Sequence, residues 1–349
     1  MPWDLAFAPD GAMLFTERSR GLSVRRADGS VARLFGGVGS VLLAGDFFGE
    51  GQSGFNGVAI DPDFANNRYM YVYMSSNSGG TMNNRVVRLT TDAGYTTVSG
   101  RNDLVTGISY KSTATSYGSA GAHSGGRIRF GPDGFLYIAT GDIHNGPTPQ
   151  DLTQLGGKIL RVDRNGAAAP GNNTPSGDTR IYTYGHRNVQ GLAFRPGTGR
   201  PYSAEHGPDQ DDEVTPLTAG ANAGWDPVGT CPDNYCGYQT NPPLSMTDFV
   251  KFPNAMRPAW TNEGDAQGMS GGTFLAGAKW KTWENSMAVG FLNGQRLDIL
   301  KLDAPGTTAI ERTKLFDTLG QRIRAVVQGP DQNLYLSTDG GEIWLVVPQ

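Results

Sequence analysis

Pairs of short apolar strands recur along the whole chain. Each pair has an alternating apolar strand, a turn centred on proline, and a second strand that ends in a small or acidic residue. The clearest copies are LAFAPDGAMLFTE (5–17), VAIDPDFANNRYMYVYMS (58–75), IRFGPDGFLYIATGD (128–142), LAFRPGTGRPYSAEHG (192–207) and AVVQGPDQNLYLSTDGG (325–341). A weaker sixth copy, GGTFLAGAKWKTWENSMAVGFL (271–292), has a longer turn without proline.

The spacing of these hairpins predicts a repeat fold. Intervals of about 50 to 70 residues leave room for two further strands in each unit. We therefore predict a six-bladed β-propeller of four-stranded antiparallel blades, formed by a single domain over residues 1–349. The alternative is one or two β-sandwich domains, which do not require one hairpin to recur over the whole chain. Segments 76–118 and 226–268, rich in Gly, Ser, Asn and Pro, are predicted to be long loops on one face.

Composition is typical of a turn-rich β protein and argues against two classes of protein, those that bind nucleic acid and those that span a membrane. The 349 residues include 50 glycines and 21 prolines, with 38% hydrophobic and 18% charged residues. A net charge of −4 provides no broad basic surface, so we expect no nucleic-acid partner. No window approaches the ~20 apolar residues of a membrane-spanning helix, and MPWDLAFAPDG at the start has the pattern of a strand and turn rather than a leader. We expect a soluble chain, either mature or trimmed.

Both cysteines of the chain, Cys231 and Cys236, lie in the segment CPDNYC. In an oxidising compartment they could close a small disulfide. A zinc ion would want four ligands, and neither a histidine nor a further cysteine lies nearby in the sequence. Two unpaired thiols are the alternative to a disulfide.

The hairpin GAHSGGRIRFGPDGFLYIATGD carries a candidate acid–base pair. His123 precedes its first strand, and Asp142 follows its second strand. Antiparallel strands of similar length bring those ends to the same side of the sheet. A carboxylate there can hydrogen-bond one imidazole nitrogen and raise the basicity of the other, which makes His123 a candidate general base. The alternative is a histidine whose ring is satisfied by a loop carbonyl.

A second group of polar residues flanks the next hairpin. YGHRNVQGLAF supplies Arg187, Asn188 and Gln190 just before or within an apolar strand. EHGPDQDDE follows the returning strand and supplies the turn Gly207-Pro208 among carboxylates. Carbonyl and carboxylate oxygens suit a hard cation such as calcium.

A pair of arginines opens the last hairpin. LGQRIRAVVQ places Arg322 and Arg324 on one face of a strand. Two guanidinium groups on an axial funnel suit a planar polyanion, because they bind it by paired hydrogen bonds and by stacking. A solvated salt bridge at the rim is the alternative for each arginine.

Together the motifs resemble the soluble, calcium-dependent pyrroloquinoline quinone (PQQ) sugar dehydrogenases, which include soluble glucose dehydrogenase and the aldose sugar dehydrogenases. The matching segments run from PWDLAFAPDG through GQSGFNGVAIDPDF, HSGGRIRFGPDG, LGGKILRVDRNG, YGHRNVQGLAF and EHGP to RIRAVVQGPD, nearly the whole chain. The resemblance implies PQQ and calcium as cofactors, and oxidation of an aldose at its anomeric carbon to the lactone. It implies no nicotinamide, and the sequence has no GxGxxG between a strand and a helix.

The resemblance also implies roles for single residues. His123 corresponds to the base that takes the hydroxyl proton of the sugar, with Asp142 its partner, and Arg187 to the cation that faces the reducible quinone carbonyl. The implied cofactor contacts are Arg187, Asn188, Gln190, Asn293, Arg322 and Arg324, the substrate contact is Gln52, and the calcium-binding carbonyls are those of Gly207 and Pro208.

A few positions depart from the family pattern. Asn293 in FLNGQRL stands where the glucose enzymes have a lysine that contacts the quinone, although Arg296 lies nearby. Ala325 follows the arginine pair in place of an aspartate, and GFNG puts Asn56 near the rim of the predicted site. We interpret His144 in GDIHNGP as a loop residue rather than a ligand.

Two other classes of function stay open. A six-bladed calcium-dependent lactonase-type hydrolase would need several acidic and asparagine side chains around its metal, whereas the motifs here supply carbonyls and arginines. A cofactor-free binding propeller would keep the scaffold without the chemistry, and Asn293 is the one feature that favours it. For the dehydrogenase we expect a small-molecule sugar substrate, an external electron acceptor, a monomer, and a secreted or periplasmic location.

Overall fold

Six small sheets follow one another along the chain. The structure, a computed structural model, describes residues 1–239, 241–262 and 264–348. The first strands of the sheets are β1 (Pro2–Phe7), β6 (Phe55–Ile60), β10 (Ile128–Phe130), β14 (Val189–Phe194), β18 (Met269–Phe274) and β22 (Ile323–Gln328). The second strands are β2 (Met13–Glu17), β7 (Tyr69–Ser76), β11 (Leu136–Ala139), β15 (Pro201–Glu205), β19 (Met287–Phe291) and β23 (Leu334–Thr338).

The outer strands complete each sheet in antiparallel order. The third strands are β3 (Gly21–Arg25), β8 (Asn83–Thr91), β12 (Lys158–Val162), β16 (Glu213–Pro216), β20 (Leu297–Leu302) and β24 (Ile343–Val346). The fourth strands are β4 (Val31–Gly36), β9 (Val98–Ile108), β13 (Ile181–Tyr184), β17 (Trp260–Thr261) and β21 (Ala309–Leu315). β5 (Leu42–Leu43) adds a short parallel edge to the first sheet. The described helical turns are α1 (Phe64–Asn67) and the 3₁₀ turns Ser78–Gly80, Pro232–Asn234 and Ala278–Trp283.

These sheets form the predicted six-bladed propeller. The first strand of every blade contacts the first strands of the blades before and after it, and β22 contacts β1, which closes the ring. The last blade has three strands among the described residues. Among those residues, no helix has both the length and the apolar character that crossing a membrane requires.

The core is divided among the junctions between blades. Each of the six junctions holds one cluster of buried apolar side chains that come from both neighbouring blades. Blade strands are therefore apolar on both faces, because each sheet packs against a neighbour on either side. A seventh cluster lies outside the blades and contains Trp225, Tyr235 and Met246, with Tyr117 and Tyr238 packed against it.

The recurring hairpin is confirmed as the two inner strands of each blade, including the weaker copy, in which a 3₁₀ turn links β18 to β19. The prediction that 76–118 is a long loop is wrong for about half of that segment, because β8 and β9 run through it as the outer strands of the second blade. The outer face of β9 is exposed and polar, which removes the apolar alternation that marks inner strands. Segment 226–268 is mostly loop, as predicted.

A buried ion pair joins the blades at the axis. Asp4 of β1 forms a salt bridge with Arg127, which immediately precedes β10, and its carboxylate also accepts hydrogen bonds from Arg129 at 2.7 Å and from the backbone N–H of Val58 at 3.0 Å. Burial alone would raise the pKa of Asp4, but the two arginines lower it below its ordinary value. The stability that this carboxylate contributes is therefore present at neutral pH and is lost as the pH falls through its folded-state pKa.

The same arginine reaches two further blades. Arg127 donates to the carbonyl oxygen of Gln190 at 2.9 Å and to that of Arg324 at 3.2 Å, and its guanidinium lies 4.3 Å from the ring centre of Trp3. Its side chain is only 1% exposed. One buried cation thus connects the inner strands of the first, third, fourth and sixth blades.

Replacement of Asp4 should destabilise the whole ring. Asp4→Asn leaves Arg127 buried without a countercharge, and we expect a loss of about 3 to 5 kcal/mol in the free energy of unfolding measured with urea. Arg20→Ala is the control, because Arg20 is exposed in its pair with Glu17 and should cost less than about 0.5 kcal/mol. Equal losses in the two variants would contradict the role given to the axial ion pair.

Candidate active site

The β10–β11 hairpin brings His123 and Asp142 into contact. The Nδ1 of His123 lies 2.6 Å from Oδ1 of Asp142, and both side chains are buried. Gly141 permits this approach, because a Cβ at that position would lie 2.0 Å from the carbonyl oxygen of His123. Since a carboxylate only accepts hydrogen bonds, Nδ1 of His123 carries the hydrogen, and Nε2 is left as the basic atom.

The carboxylate of Asp142 is oriented from three directions. Its Oδ2 accepts hydrogen bonds from the indole Nε1 of Trp225 at 2.8 Å and from the hydroxyl of Tyr235 at 2.9 Å. Its Oδ1 accepts from the backbone N–H of His144 at 2.9 Å. Trp225 and Tyr235 lie more than 80 positions from Asp142 in the sequence. No local sequence pattern indicates that they contact this carboxylate, so these two donors were not predicted.

Tyr235 belongs to a loop that a disulfide closes. Cys231 and Cys236 are bonded, which confirms the disulfide and excludes the two free thiols. Tyr238 follows the disulfide by two residues, and its hydroxyl lies 2.9 Å from Nη2 of Arg187 and 3.1 Å from Nε2 of His144. Tyr235 inside the loop and Tyr238 just after it therefore place two phenol groups beside the His123–Asp142 pair.

His144 lies in a turn, as predicted, but its buried contact with the candidate base was not foreseen. Its Nε2 lies 2.8 Å from Nε2 of His123, and its side chain is 5% exposed. His144 follows Asp142 by two residues, just after a strand ends, and this spacing is the sequence signal that could have indicated the contact.

Burial keeps these imidazole rings neutral. Burial and the nearby charge of Arg187 hold the pKa of His123 well below its ordinary value. Burial and the neighbouring His123 lower the pKa of His144 to about 2. A neutral ring at His123 is the protonation state that a general base requires.

Arg187 is buried beside this pair without a carboxylate partner among the described residues. Its Nη1 donates to the carbonyl oxygen of His206 at 2.9 Å, while its Nε has no hydrogen-bond partner in the described part of the chain. Glu205 fixes the backbone that carries Arg187, because its carboxylate accepts hydrogen bonds from the backbone N–H groups of Arg187 and Asn188. The same carboxylate contacts Nδ1 of His186 at 2.8 Å. A buried guanidinium with an unused donor suits a ligand that brings acceptor oxygens.

The other predicted cofactor residues surround a cavity of about 350 Å³ at the end of the axis. The predicted residues in its lining are Gln52, Asn188, Gln190, Asn293, Arg322 and Arg324. Three further polar residues of the lining were not predicted as site residues: Arg18, His206 and Asp339. The charged side chains of the lining are therefore three arginines and one aspartate, which leaves an excess of positive charge.

Internal contacts position the lining residues. Arg322 and Arg324 both donate to Asp339, at 2.9 and 3.0 Å. Burial alone would raise the pKa of Asp339, but the two arginines lower it below its ordinary value. Asn293 accepts a hydrogen bond from Nη1 of Arg322. On the opposite side, Oε1 of Gln52 accepts the backbone N–H of His123 at 3.1 Å. This last contact connects the cavity lining to the His123–Asp142 pair.

Asn56 does not lie at the rim as expected. Its side chain is 1% exposed, and its Nδ2 donates to the carbonyl oxygen of Gln52 at 3.2 Å. Its side chain packs against Gly126, which precedes the first strand of the third blade, and contacts the cavity lining at the carbonyl oxygen of Gln52.

The turn Gly207-Pro208 is buried next to His206 and is held by Asp212. The carboxylate of Asp212 accepts the backbone N–H of Gly207 at 3.0 Å and that of Gln267 at 2.6 Å. Burial raises the pKa of Asp212 although these N–H groups act in the opposite direction. No group of three or more His, Cys, Asp or Glu side chains within the described ranges is arranged to hold a metal, so a cation here would depend on backbone carbonyls.

A six-bladed propeller with a basic cavity beside a buried histidine–aspartate pair defines a class of oxidoreductase. The chain belongs to the Glucose / Sorbosone dehydrogenase family, whose model matches residues 1–346. Aldose sugar dehydrogenase YliI of Escherichia coli (strain K12) is 31% identical over 355 residues, which span 100% of this chain and 90% of that protein.

Two further proteins extend the comparison. Quinoprotein glucose dehydrogenase B of Acinetobacter calcoaceticus is 27% identical over 411 residues, with 97% of this chain and 83% of that protein covered. The solved PQQ-bound aldose sugar dehydrogenase of Streptomyces coelicolor superposes with a TM-score of 0.74 at 28% identity, over 99% of this chain and 92% of that chain. The resemblance to the sugar dehydrogenases is confirmed at the level of family and fold.

The buried rings can be observed directly, because the chain has only four histidines. In ¹⁵N-histidine NMR spectra we expect His123 and His144 to stay neutral as the pH falls to 5, since burial depresses both pKa values. Rings that bind protons only after unfolding destabilise the folded state at acid pH, so stability should fall below about pH 6.5. A titration midpoint near 6.5 at His123, assigned with His123→Ala, would contradict this geometry.

Proposed function

We propose that this protein is a PQQ- and calcium-dependent dehydrogenase that oxidises aldoses at the anomeric C–OH to lactones and passes electrons to an external acceptor. The observation that carries the proposal is the buried Arg187 with an unused donor and no carboxylate partner in the described chain, beside both the His123–Asp142 pair and an arginine-lined cavity. Family membership supports the reaction class.

The cavity suits a planar, polyanionic cofactor. Its volume of about 350 Å³ falls in the range of small-molecule sites. The lining carries three positive charges, on Arg18, Arg322 and Arg324, against the single negative charge of Asp339. An anion with several carboxylates would balance this excess of positive charge. The amide side chains of Asn188 and Gln190 supply further donors and acceptors. We assign these residues, with Arg187 and Asn293, to the binding of PQQ.

The turn after β15 suits calcium. We assign the carbonyl oxygens of Gly207 and Pro208 to the metal, because Asp212 holds the turn through the backbone N–H of Gly207 and thereby leaves the carbonyl dipoles for a hard cation. When bound, PQQ supplies the hydride acceptor, and calcium supplies a Lewis acid that polarises it.

The residues of the chain perform the proton chemistry. Nε2 of His123 takes the proton of the sugar hydroxyl, and Asp142 keeps the hydrogen on Nδ1 and stabilises the imidazolium that forms. Trp225 and Tyr235 fix the carboxylate so that the base does not rotate. Gln52 positions the backbone of His123 and lines the cavity, which supports its assignment to the substrate.

We further propose a secreted or periplasmic monomer. The Cys231–Cys236 disulfide supports an oxidising compartment. The proposed substrate is a small-molecule sugar, which family membership supports.

Reconstitution tests the reaction. Purified protein with added PQQ and calcium should reduce a dye in the presence of aldoses, and removal of either addition should abolish the activity. His123→Ala should lower kcat by about 10³-fold or more while PQQ binding, followed by absorbance, stays within about threefold, because the base acts in the transition state. Absence of both activity and quinone binding in the unchanged protein would favour the cofactor-free binding propeller.

Arg322 is expected to act mainly on cofactor affinity. Arg322→Ala removes one cation and its hydrogen bonds, so the Kd for PQQ should rise about tenfold or more in equilibrium titrations, while kcat at saturating PQQ changes less. Exposed Arg20 provides the matched control, since Arg20→Ala removes the same charge away from the cavity. Unchanged PQQ affinity in Arg322→Ala would refute the assignment of this cavity.

A further inference from the structure

The basic nitrogen of the candidate base is already in contact with another ring. Nδ1 of His123 carries its hydrogen toward Asp142, 2.6 Å away, so Nε2 of His123 has a lone pair and no hydrogen. Nε2 of His144 lies 2.8 Å from this atom, and the two ring centres are 3.7 Å apart. Two nitrogens at this distance need one hydrogen between them, and that hydrogen belongs to His144.

This contact fixes the tautomer of His144. Burial and the neighbouring His123 lower the pKa of His144 to about 2, so the ring is neutral and carries a single hydrogen, on Nε2. The hydroxyl of Tyr238, 3.1 Å from the same nitrogen, is a second acceptor for it. Nδ1 of His144 keeps a lone pair and has no hydrogen-bond partner among the described residues. The one hydrogen of the ring is therefore directed to the candidate base.

A general base needs this same lone pair. A sugar hydroxyl has to come within about 2.6 to 3.2 Å of Nε2 of His123 in order to give up its proton. The N–H group of His144 lies in that position, and the side chain of His123 is only 3% exposed. The contact between the two rings thus blocks the atom that is assigned to the chemistry.

We propose that His144 is a cap on the base: its Nε2–H occupies the lone pair of His123, and its ring has to turn aside before a sugar hydroxyl reaches that atom. This inference rests on the proposed dehydrogenase function, because the contact limits turnover only if His123 is the base. The cap opposes substrate binding by the net strength of one hydrogen bond, which changes an equilibrium by about threefold to tenfold.

The turn that carries the cap has the properties of a movable element. Ile143 and His144 have φ angles of 55° and 54°. This left-handed region is uncommon for residues other than glycine and strained for a β-branched residue, and such strain is concentrated at switches and ligand clamps. His144 also lines a second cavity, of about 510 Å³, together with Asn145 and Asp233. This cavity has room for an imidazole ring that turns away from His123.

Chemical modification tests the cap in the protein without cofactor. Diethyl pyrocarbonate acylates unprotonated ring nitrogens, and peptide mass spectrometry identifies the modified histidine. His144→Asn places an amide near the position of Nδ1, too short to reach His123, whereas His144→Gln places an amide N–H near the position of Nε2 and keeps the donor. We expect His123 to react at least about threefold faster in His144→Asn than in the unchanged chain, and His144→Gln to stay near the unchanged rate.

Two controls separate uncapping from loosening of the fold. His186 is buried, and its two ring nitrogens contact Thr183 and Glu205, so it should stay unreactive in every variant. Asn145→Ala changes an exposed side chain in the same turn and should leave the rate at His123 unchanged. Equal rates at His123 in His144→Asn and the unchanged chain would overturn the proposal. Equal acceleration at His123 and His186 would overturn it as well.

Steady-state kinetics separate a cap from a structural role. In protein reconstituted with PQQ and calcium, His144→Asn should lower KM for the aldose by about threefold to tenfold while kcat stays within about threefold, because the cap acts on binding before the chemical step. A structural role alone predicts a lower kcat without a gain in KM, and that result would overturn the cap. If the unchanged protein oxidises no sugar, the proposed function fails, and the modification rates alone decide whether His144 caps Nε2.

Discussion

The buried ion pair between Asp4 and Arg127 is the interaction on which the rest of the structure depends. A charge at the centre of a propeller is stable only when paired and hydrogen-bonded, so Arg127 requires Asp4 and the carbonyl oxygens of Gln190 and Arg324 in fixed positions. The side chains of those last two residues line the arginine-rich cavity. The charge that stabilises the axis therefore also positions part of the candidate cofactor site.

A second constraint is the complete hydrogen bonding of Asp142. Its two oxygens contact His123, the backbone N–H of His144, Trp225 and Tyr235. A buried carboxylate left without these donors would carry a large desolvation cost, so the disulfide-closed loop has to fold onto the blade that holds the candidate base. Tyr238, two residues after the disulfide, contacts both Arg187 and His144 and so joins the cofactor side of the site to the histidine beside the candidate base.

The inner hairpins of the blades and the contact of His123 with Asp142 could be predicted because both depend on local patterns: strand alternation, proline turns and the pairing of strand ends. The outer strands β8 and β9 were assigned to a loop. β9 is largely exposed and polar, and β8 is mostly buried on both faces, so neither strand shows the alternation of apolar and polar residues that marks a half-buried strand. The contact of His144 with His123 and the burial of Asn56 were not predicted. Their surroundings depend on packing between a strand end and residues from other loops or blades, which no local pattern records.

Two similar segments show where sequence information ends. RIRF at Arg127 and RIRA at Arg322 both place two arginines at the start of an inner strand. From the sequence by itself, Arg322 and Arg324 were placed at the axial end of an inner strand, because strand periodicity and the repeat set their position. Only the tertiary structure decided that the first pair neutralises Asp4, whereas the second pair, with Asp339, lines the cavity. The physical reason is that the charge partner of a buried arginine comes from another part of the chain.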